Sequence, residues 1–550
     1  VYSLNRGNSM LEDIDPMKHI YELSVTIGPR RPVSDNEWKA AGYIFNFFKK
    51  IGLEPMQQKF LSISTFSLPY LVIFGLYLLS IILYLYEPLM GLILSLIAFI
   101  IFLLEGSSKP VLIHILPKGK SHNIYVRIKP KGEVKRRLIL VGHYDSSRAA
   151  WFFSPGFVKY FRALFLAIAF SAILIPIIEI FVLAYANFVS SKFLFLTIKD
   201  LGLYLLLIPT FFIVLGFFSM LHRELFYKDV PGANDNASGV GVLLSLAEIF
   251  SKIPLSNTEI WCVATGSEES GMFGMIYFLK YHEEYFDKNN TFILNFDNIG
   301  AGDVYYIVGE GLLTTLKSDK TLVEIASNVA KAHKDWNINP KVYKLLPTDA
   351  TSAIARGFKA LSIMSFNKQG LLPNWHWHTD TYENVDEETV KKALNFAYEI
   401  IKEIDKLVKR LWMKLIEALS IITFFALGGA YILSRVLSKP IEELSNASRR
   451  ISQGDFSTKI VLDNRDELKE LAENFNNMTE KIKELFADLK LQKEKLNGII
   501  SSIQEGIIVI DKKGKIILFN ESFKALIGTD SISSKFYWEV LRDHRMNKLT

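Results

Sequence analysis

Five stretches of this 550-residue chain are apolar and long enough to cross a bilayer, and nothing else in the sequence constrains its fold as tightly. They cover about 64–86, 88–104, 163–185, 201–221 and 418–434. A hydrocarbon core roughly 30 Å thick takes about 20 apolar residues as helix, and these runs are close to that length. Only Glu87 separates the first two, and the third carries Pro176 and Glu179. Composition agrees with such clustering. Charged residues make up 22% of the chain, an ordinary share for a soluble protein, yet half of it is hydrophobic and mean hydropathy reaches +0.20. Both hold together only if apolar residues are concentrated, which excludes a purely soluble enzyme and a disordered or collagen-like chain. A net charge of +6 over this length gives no reason to invoke nucleic acid. The one cysteine, Cys262, sits in an apolar run and reads as a buried, inert thiol.

The segments between the apolar runs have soluble character. Residues 11–60 open with an amphipathic helical pattern and end in a strand-like run, and 123–129 and 137–141 read as strands. From 230 to 405 the pattern alternates: helix over 240–250, strand over 258–264, helix over 272–281, strand over 292–296, helix over 387–404. Alternation of this kind predicts a mixed, mostly parallel sheet covered by helices, an α/β fold. Each of the first two pairs of apolar runs is a hairpin that returns the chain to the side it left. One α/β domain spanning 11–405, interrupted at 64–104 and 163–221, is therefore expected. The run at 418–434 then carries 435–550 to the opposite side of the membrane. The first residue is Val1 and the last residues fall within an incomplete-looking domain, so the chain reads as a piece of a longer one.

Acids and histidines cluster at the ends of the expected strands. They lie in Gly142-His143-Tyr144-Asp145, in Ala233-Asn234-Asp235-Asn236 and in Gly266-Ser267-Glu268-Glu269-Ser270-Gly271. Two more clusters are Asn295-Phe296-Asp297 and Trp375-His376-Trp377-His378-Thr379-Asp380-Thr381. His143 follows an apolar run, at the carboxyl end of a strand, where open α/β sheets place their ligands. Asp145 is placed to hold the second nitrogen of that imidazole. Adjacent Glu268 and Glu269 form a costly like-charge pair unless a cation lies nearby or one is protonated. Nitrogen and oxygen donors without sulfur suit zinc, with cobalt or manganese as substitutes. Singly, a His-x-Asp or a Glu-Glu is usually a structural pair or a solvated face; in this order and at strand ends they carry more weight.

With these residues the sequence resembles the di-zinc exopeptidases, which include bacterial secreted aminopeptidases, glutamate carboxypeptidases and the one-zinc glutaminyl cyclases. The resemblance covers about 15–405 apart from the hairpins, and takes in Gly28-Pro29-Arg30-Arg31-Pro32 and Thr348-Asp349-Ala350. It implies two zinc ions, His143 and Glu269 holding one, Asp297 and His378 the other, and Asp235 bridging them. It implies further that Asp145 orients His143 and that Glu268 is the general base for attack of an acidified water on a peptide bond. His376 competes with His378, and the spacing to Asp380 and Thr381 favours His378. The segment between His378 and Asp380 is shorter than in many relatives.

After 434 the character changes. Ser438-Lys439-Pro440-Ile441 precedes an amphipathic helix, Gly454-Asp455-Phe456 breaks it, and Asp466-Glu467-Leu468 opens another. Phe475, Met478, Ile482, Leu485, Leu489, Leu496 and Ile499 then keep coiled-coil spacing. Residues 435–490 resemble a HAMP linker, which implies a homodimer. Over 491–550, with Gly506-Ile507-Ile508-Val509-Ile510-Asp511 and Phe519-Asn520, the sequence resembles a coiled-coil extension and the first half of a PAS domain. No phosphoacceptor helix or ATP-binding motif follows, so no kinase activity is assigned to these residues.

The leading expectation is a membrane-bound di-zinc aminopeptidase, acting on peptides and joined to a transmembrane relay. Two alternatives stand beside it: a peptide-sensing domain without turnover, and the joined products of two neighbouring genes. The second draws on Met413-Lys414, which precedes an apolar run as at the start of a separate sensor. A cyclase needs one metal only and is disfavoured by the full ligand set. The HAMP and PAS resemblance implies a multi-pass protein with 435–550 in the cytoplasm and the peptidase outside. Lys109, Lys159, Arg162, Arg223, Lys228, Lys409 and Arg410 crowd the peptidase side, against the positive-inside tendency.

Overall fold

The computed structural model describes residues 14–107, 109–188, 192–462, 467–528 and 531–541. Val1, Asp466 of the expected Asp-Glu pair and the last nine residues of the expected PAS segment lie outside them. The chain divides into two compact units, Val1–Trp412 and Met413–Thr550.

The first unit opens with α1 (Pro16–Tyr21), α2 (Asp35–Lys50), strand β1 (Met56–Ser62) and the apolar hairpin α3 (Ser67–Tyr86) and α4 (Pro88–Gly106). Strands β2 (Gly119–Ile128) and β3 (Arg136–His143) follow, then a second apolar hairpin, α5 (Phe161–Phe188) and α6 (Lys192–Phe226). The remainder is α7 (Ser238–Lys252), β4 (Thr258–Thr265), α8 (Phe273–Tyr281), β5 (Thr291–Phe296), β6 (Asp303–Glu310) and β7 (Leu316–Lys317). It closes with α9 (Lys320–Ala332), β8 (Asn339–Tyr343), α10 (Asp349–Ala355), β9 (Lys359–Phe366) and the first part of α11 (Glu387–Leu433), a helix that runs on into the second unit.

Nine strands form one sheet in the order β1-β2-β4-β3-β5-β9-β6-β7, with β8 paired to β6. Its centre is parallel, β4 with β3, β3 with β5 and β5 with β9, while β1, β2, β7 and the β6–β9 pairing are antiparallel. The mixed, mostly parallel α/β sheet expected from the sequence is the one found at its centre. Strands β4 and β5 are buried along their whole length, which is why their sequences read as continuous apolar runs rather than alternating ones. Edge strand β1 alternates over its first four residues instead. Cys262, within β4, is a free buried thiol.

The main core lies between the sheet and helices α1, α2, α7, α9 and α11. A second cluster is built mainly from the hairpins: Ile73, Phe74 and Tyr77 of α3, Ala98 and Phe102 of α4, Ala172 and Ile175 of α5, and Ile213 of α6. The outer faces carry exposed Leu79, Ile82, Ile93, Ile100, Phe181 and Phe211, the surface of a bundle meant for lipid rather than water. Among the described residues five helices are long and apolar enough to cross a membrane, with Val158–Tyr185 over the expected third run and Leu415–Ser452 over the fifth. Glu179, the acid inside the third, does not face outward; it is buried in the bundle and accepts a hydrogen bond from the Ser95 hydroxyl.

In the second unit, α12 (Lys439–Ser452) is followed by a connector and the long α13 (Glu467–Ser502). Ala447, Ile460 and Ala472 form its small core. Asn476 fastens the connector in two directions, donating to the Ile460 carbonyl at 2.7 Å and accepting from the Ile460 N–H at 2.9 Å. A hairpin of β10 (Ile508–Ile510) and β11 (Ile516–Phe519) precedes α14 (Glu521–Ile527) and α15 (Tyr537–Val540), around Ile516, Phe523, Ile532 and Tyr537.

Candidate metal centre

The parallel strands deliver the acids and histidines to one end of the sheet. In register, His143 lies beside Thr265 and Val141 beside Asn295, so the loops leaving β3, β4 and β5 start as immediate neighbours. His143 ends β3, Glu268 and Glu269 follow β4, and Asp297 follows β5. Asp235 comes from the loop before α7, whose entry requires glycine at Gly232. Its φ is +62°, and a Cβ there would meet Ser146 Cβ at 2.5 Å and the Asp235 carbonyl at 2.6 Å.

Buried Arg30 orders this loop. Its guanidinium donates to the carbonyls of Tyr144, Leu23, Gly28, Pro231 and Gly232 at 2.6–2.9 Å, which explains the Gly-Pro-Arg segment near the amino end. Asp380 completes the cradle, accepting from the Asn234 N–H at 2.6 Å and the Asp235 N–H at 3.2 Å. Asp145 does likewise for the next loop, accepting from the Glu268 and Glu269 N–H groups at 3.1 and 2.9 Å. It also lies 3.6 Å from His143 Nδ1, while its carbonyl is 3.2 Å from the same atom.

Two triads result, and each offers ligand atoms within 4.8 Å of one another: His143, Asp235 and Asp297, and Asp235, Glu269 and His376. His143 Nε2 is 3.2 Å from Asp235 Oδ1 and 3.8 Å from Asp297 Oδ1. His376 Nε2 is 3.1 Å from both Asp235 Oδ2 and Glu269 Oε2. The two oxygens of Asp235 thus face different triads, the disposition of a bridging carboxylate. Glu268 Oε2 lies 3.9 Å from His143 Nε2, outside both triads.

The structure places two of the expected groupings differently. His376, not His378, enters the site: Asn374 and His376 both adopt left-handed backbone, φ 60° and 49°, and this folds the segment so that His376 turns inward. His378 is exposed and stacks on Tyr227 at 5.8 Å. Spacing to Asp380 misled because Asp380 turns back onto the Asn234–Asp235 backbone. The pairing also changes. His143 lies with Asp297 in one triad, and Glu269, beyond left-handed Ser267 (φ 54°) in the loop after β4, lies with His376 in the other.

The residues of both triads are buried and Glu268 nearly so, and their proton affinities show mutual dependence. Burial alone would lower His143, but Glu268, Asp145, Asp235 and Asp297 outweigh it and hold it well above its usual value. His376 is likewise lifted to about 9 by Glu269 and Asp235 against the effect of burial. Burial would raise Asp235, yet hydrogen bonds to both histidines pull it below the usual carboxylate range. Glu268 is raised well above its ordinary value, first by burial and then by Asp349, Glu269 and Asp297, with His143 opposing. So many buried carboxylates call for balancing positive charge between them. The donor set, imidazole nitrogen and carboxylate oxygen with no sulfur, fits zinc. Glu269 Oε1 is buried with no hydrogen-bond partner, an acceptor left for a cation.

The site opens into a cavity of about 380 Å³. Tyr343, at the end of β8, lines it and passed unnoticed in the sequence, where only its place at the end of a short strand marks it. Burial, with Asp297 nearby, holds its hydroxyl well above the ordinary value, so it stays a hydrogen-bond donor.

The profile of peptidase family M28 matches residues 220–401, that of the HAMP domain 432–484 and that of a PAS domain 494–549. Curated relatives match over part of the chain. The sensor protein kinase WalK of Staphylococcus saprophyticus subsp. saprophyticus is 28% identical over 119 residues, 22% of this chain and 18% of that protein. The WalK of Staphylococcus epidermidis is 23% identical over 181 residues, 31% of this chain and 28% of that protein. The chain thus spans less than a third of the length of these relatives. Among solved structures, a zinc aminopeptidase from Bacillus subtilis is 15% identical with a TM-score of 0.41, over 70% of this chain and 94% of that one. An aminopeptidase from Aneurinibacillus sp. strain AM-1 is 15% identical with a TM-score of 0.43, over 72% and 96%. An Acidobacteriales bacterium glutaminyl cyclase is 14% identical with a TM-score of 0.41, over 72% and 96%. With the two triads at the carboxyl ends of its strands, the chain carries a peptidase family M28 domain, followed by HAMP and PAS domains in the manner of sensor kinases.

Proposed function

We propose that this is a membrane-bound di-zinc aminopeptidase joined to a transmembrane relay. The observation that carries the reading is the pair of triads sharing Asp235, with Glu268 beside them and in neither. His143, Asp235 and Asp297 would hold one ion, and Asp235, Glu269 and His376 the other. Bound zinc would acidify a water and stabilise the charge that develops on the carbonyl oxygen; cobalt or manganese would substitute. Glu268 would accept the proton of the attacking water and return it to the leaving amine. A carboxyl with raised proton affinity suits both steps near neutral pH. Asp145 would hold the backbone of Glu268 and Glu269 in place, and Tyr343 would donate toward the bound peptide.

An amino-terminal specificity follows from charge. The cavity is lined by Glu105 and the acids of the centre, and no lysine or arginine lines it among the described residues. A substrate ammonium is matched by such a wall and a terminal carboxylate is not. We place the peptidase outside and the HAMP and PAS segments in the cytoplasm. Arg223, one of the basic residues crowding the peptidase side, is buried in hydrogen bonds to Thr65, Ser67 and Ser147 and does not stand as a free topological charge. Hydrolysis of aminoacyl peptides by the zinc-loaded full chain, compared with Glu268→Gln, tests the reading. A fall in kcat of about 10²–10⁴-fold with metal content unchanged is expected. Bound metal with no turnover by the unaltered chain would leave the sensing role in its place.

A further inference from the structure

The cavity is not built by the sheet domain alone. Helix α3 begins at Ser67, α4 ends at Gly106, α5 begins at Phe161 and α6 ends at Phe226, so all four membrane-type helices present an end to the sheet domain. Phe66, Tyr70, Glu105 and Phe165, from the ends of three of them, line the same cavity as His143, Asp235, Glu268 and His376. At a rise of 1.5 Å per residue, Tyr70 and Phe165 lie only about 5–6 Å from the starts of their helices, within the depth of a headgroup layer.

This wall is fixed to the metal site from two directions. His376 packs against Phe153 at 4.6 Å between ring centroids, and Phe153 against Phe161, the first residue of α5, at 5.1 Å. On the other side the Arg223 guanidinium lies 4.2 Å over the Phe66 ring and donates to Thr65, Ser67 and Ser147. Next to α5, Phe157 and Tyr160 are exposed by 53% and 57% beside Lys159, the residue types that anchor a protein at the membrane surface.

We infer that this site takes its substrates from the bilayer surface: peptides with a free amino terminus and an apolar, membrane-partitioned body that lies along the ends of α3 and α5. The inference rests on the peptidase reading above and adds the substrate class. An aromatic wall at headgroup depth offers a bound peptide a path over the helix ends. There an apolar chain is favoured by burial and a water-soluble one gains nothing.

The test uses the full chain in phosphatidylcholine vesicles and a peptide of Leu-Gly-Gly followed by a leucine- and alanine-rich tail with a benzophenone at its head. Glu268→Gln, zinc-loaded, keeps the peptide whole during irradiation. Adducts are expected within residues 66–70 and 161–165, and their absence there overturns the inference. With the unaltered chain the tailed peptide is expected to be cleaved with a kcat/KM at least ~10-fold above that of Leu-Gly-Gly, and equal values overturn it. Adducts without any hydrolysis would sink the peptidase reading and leave the membrane-facing site standing. Hydrolysis dependent on Glu268 without those adducts would do the reverse.

Discussion

At the scale of single residues, the centre shows how two histidines one residue apart come to different ends. Residue type made both His376 and His378 candidates; backbone handedness at Asn374 and His376 chose between them. His376→Ala is expected to cost activity on the order of 100-fold or more and to release metal on dialysis. His378→Ala, on an exposed ring outside both triads, should stay within about twofold on both readouts, metal content being read by mass spectrometry. A second buried imidazole bears on stability. His19 lies against Phe47 and pairs with the Tyr43 hydroxyl at 2.7 Å, and burial, reinforced by Lys18 against Glu248, lowers it to about 4. The unfolded chain takes up this proton near pH 6.5 and the folded one only near 4. The stabilisation is therefore complete above about 6.5 and drains away as pH falls toward 4, by up to about 3 kcal/mol. His19→Gln should flatten that part of the curve of unfolding midpoint against pH.

At the scale of elements, the apolar hairpins interrupt the sheet domain without disturbing its register, because each returns beside the strand it left. Buried Arg223 at the end of α6 makes them part of the structure around the site rather than an appendage. It bonds to Thr65 and Ser67 at the head of α3 and to Ser147 after β3. Arg223→Met should lower stability by about 3–5 kcal/mol, because Glu224 and three hydroxyls lose a buried charged partner. Thermal unfolding of the intact protein reads that loss, and faster proteolysis between α6 and α7 should accompany it. These elements were legible as apolar runs. The clamp was not, since Arg223 in a sequence is indistinguishable from a solvated basic residue at a membrane boundary.

At the scale of the whole molecule, one chain joins a peptidase-type centre to a signalling-type helix. Met478, Leu485, Leu489, Leu496 and Ile499 along α13 are 50–62% exposed in the single chain, a seam that a second copy would cover. Leu489→Glu should shift the detergent-solubilised protein from dimer to monomer by light scattering while metal binding persists; a mass unchanged from the parent would remove the homodimer reading. Periodicity and apolar length were enough to determine the α/β class, the membrane-type helices among the described residues and the apolar stripe along α13, because those follow from spacing along the chain. Residue chemistry supplied His143, Asp145, Asp235, Glu268, Glu269 and Asp297 as the acids and imidazole that gather at the sheet's end. Three matters waited for tertiary structure: which histidine closes the second triad, which acids and imidazoles share a triad, and that the helix ends wall the cavity. Each depends on directions and contacts between residues distant in sequence, set by two left-handed residues, by the neighbouring of β3 and β5, and by one buried guanidinium.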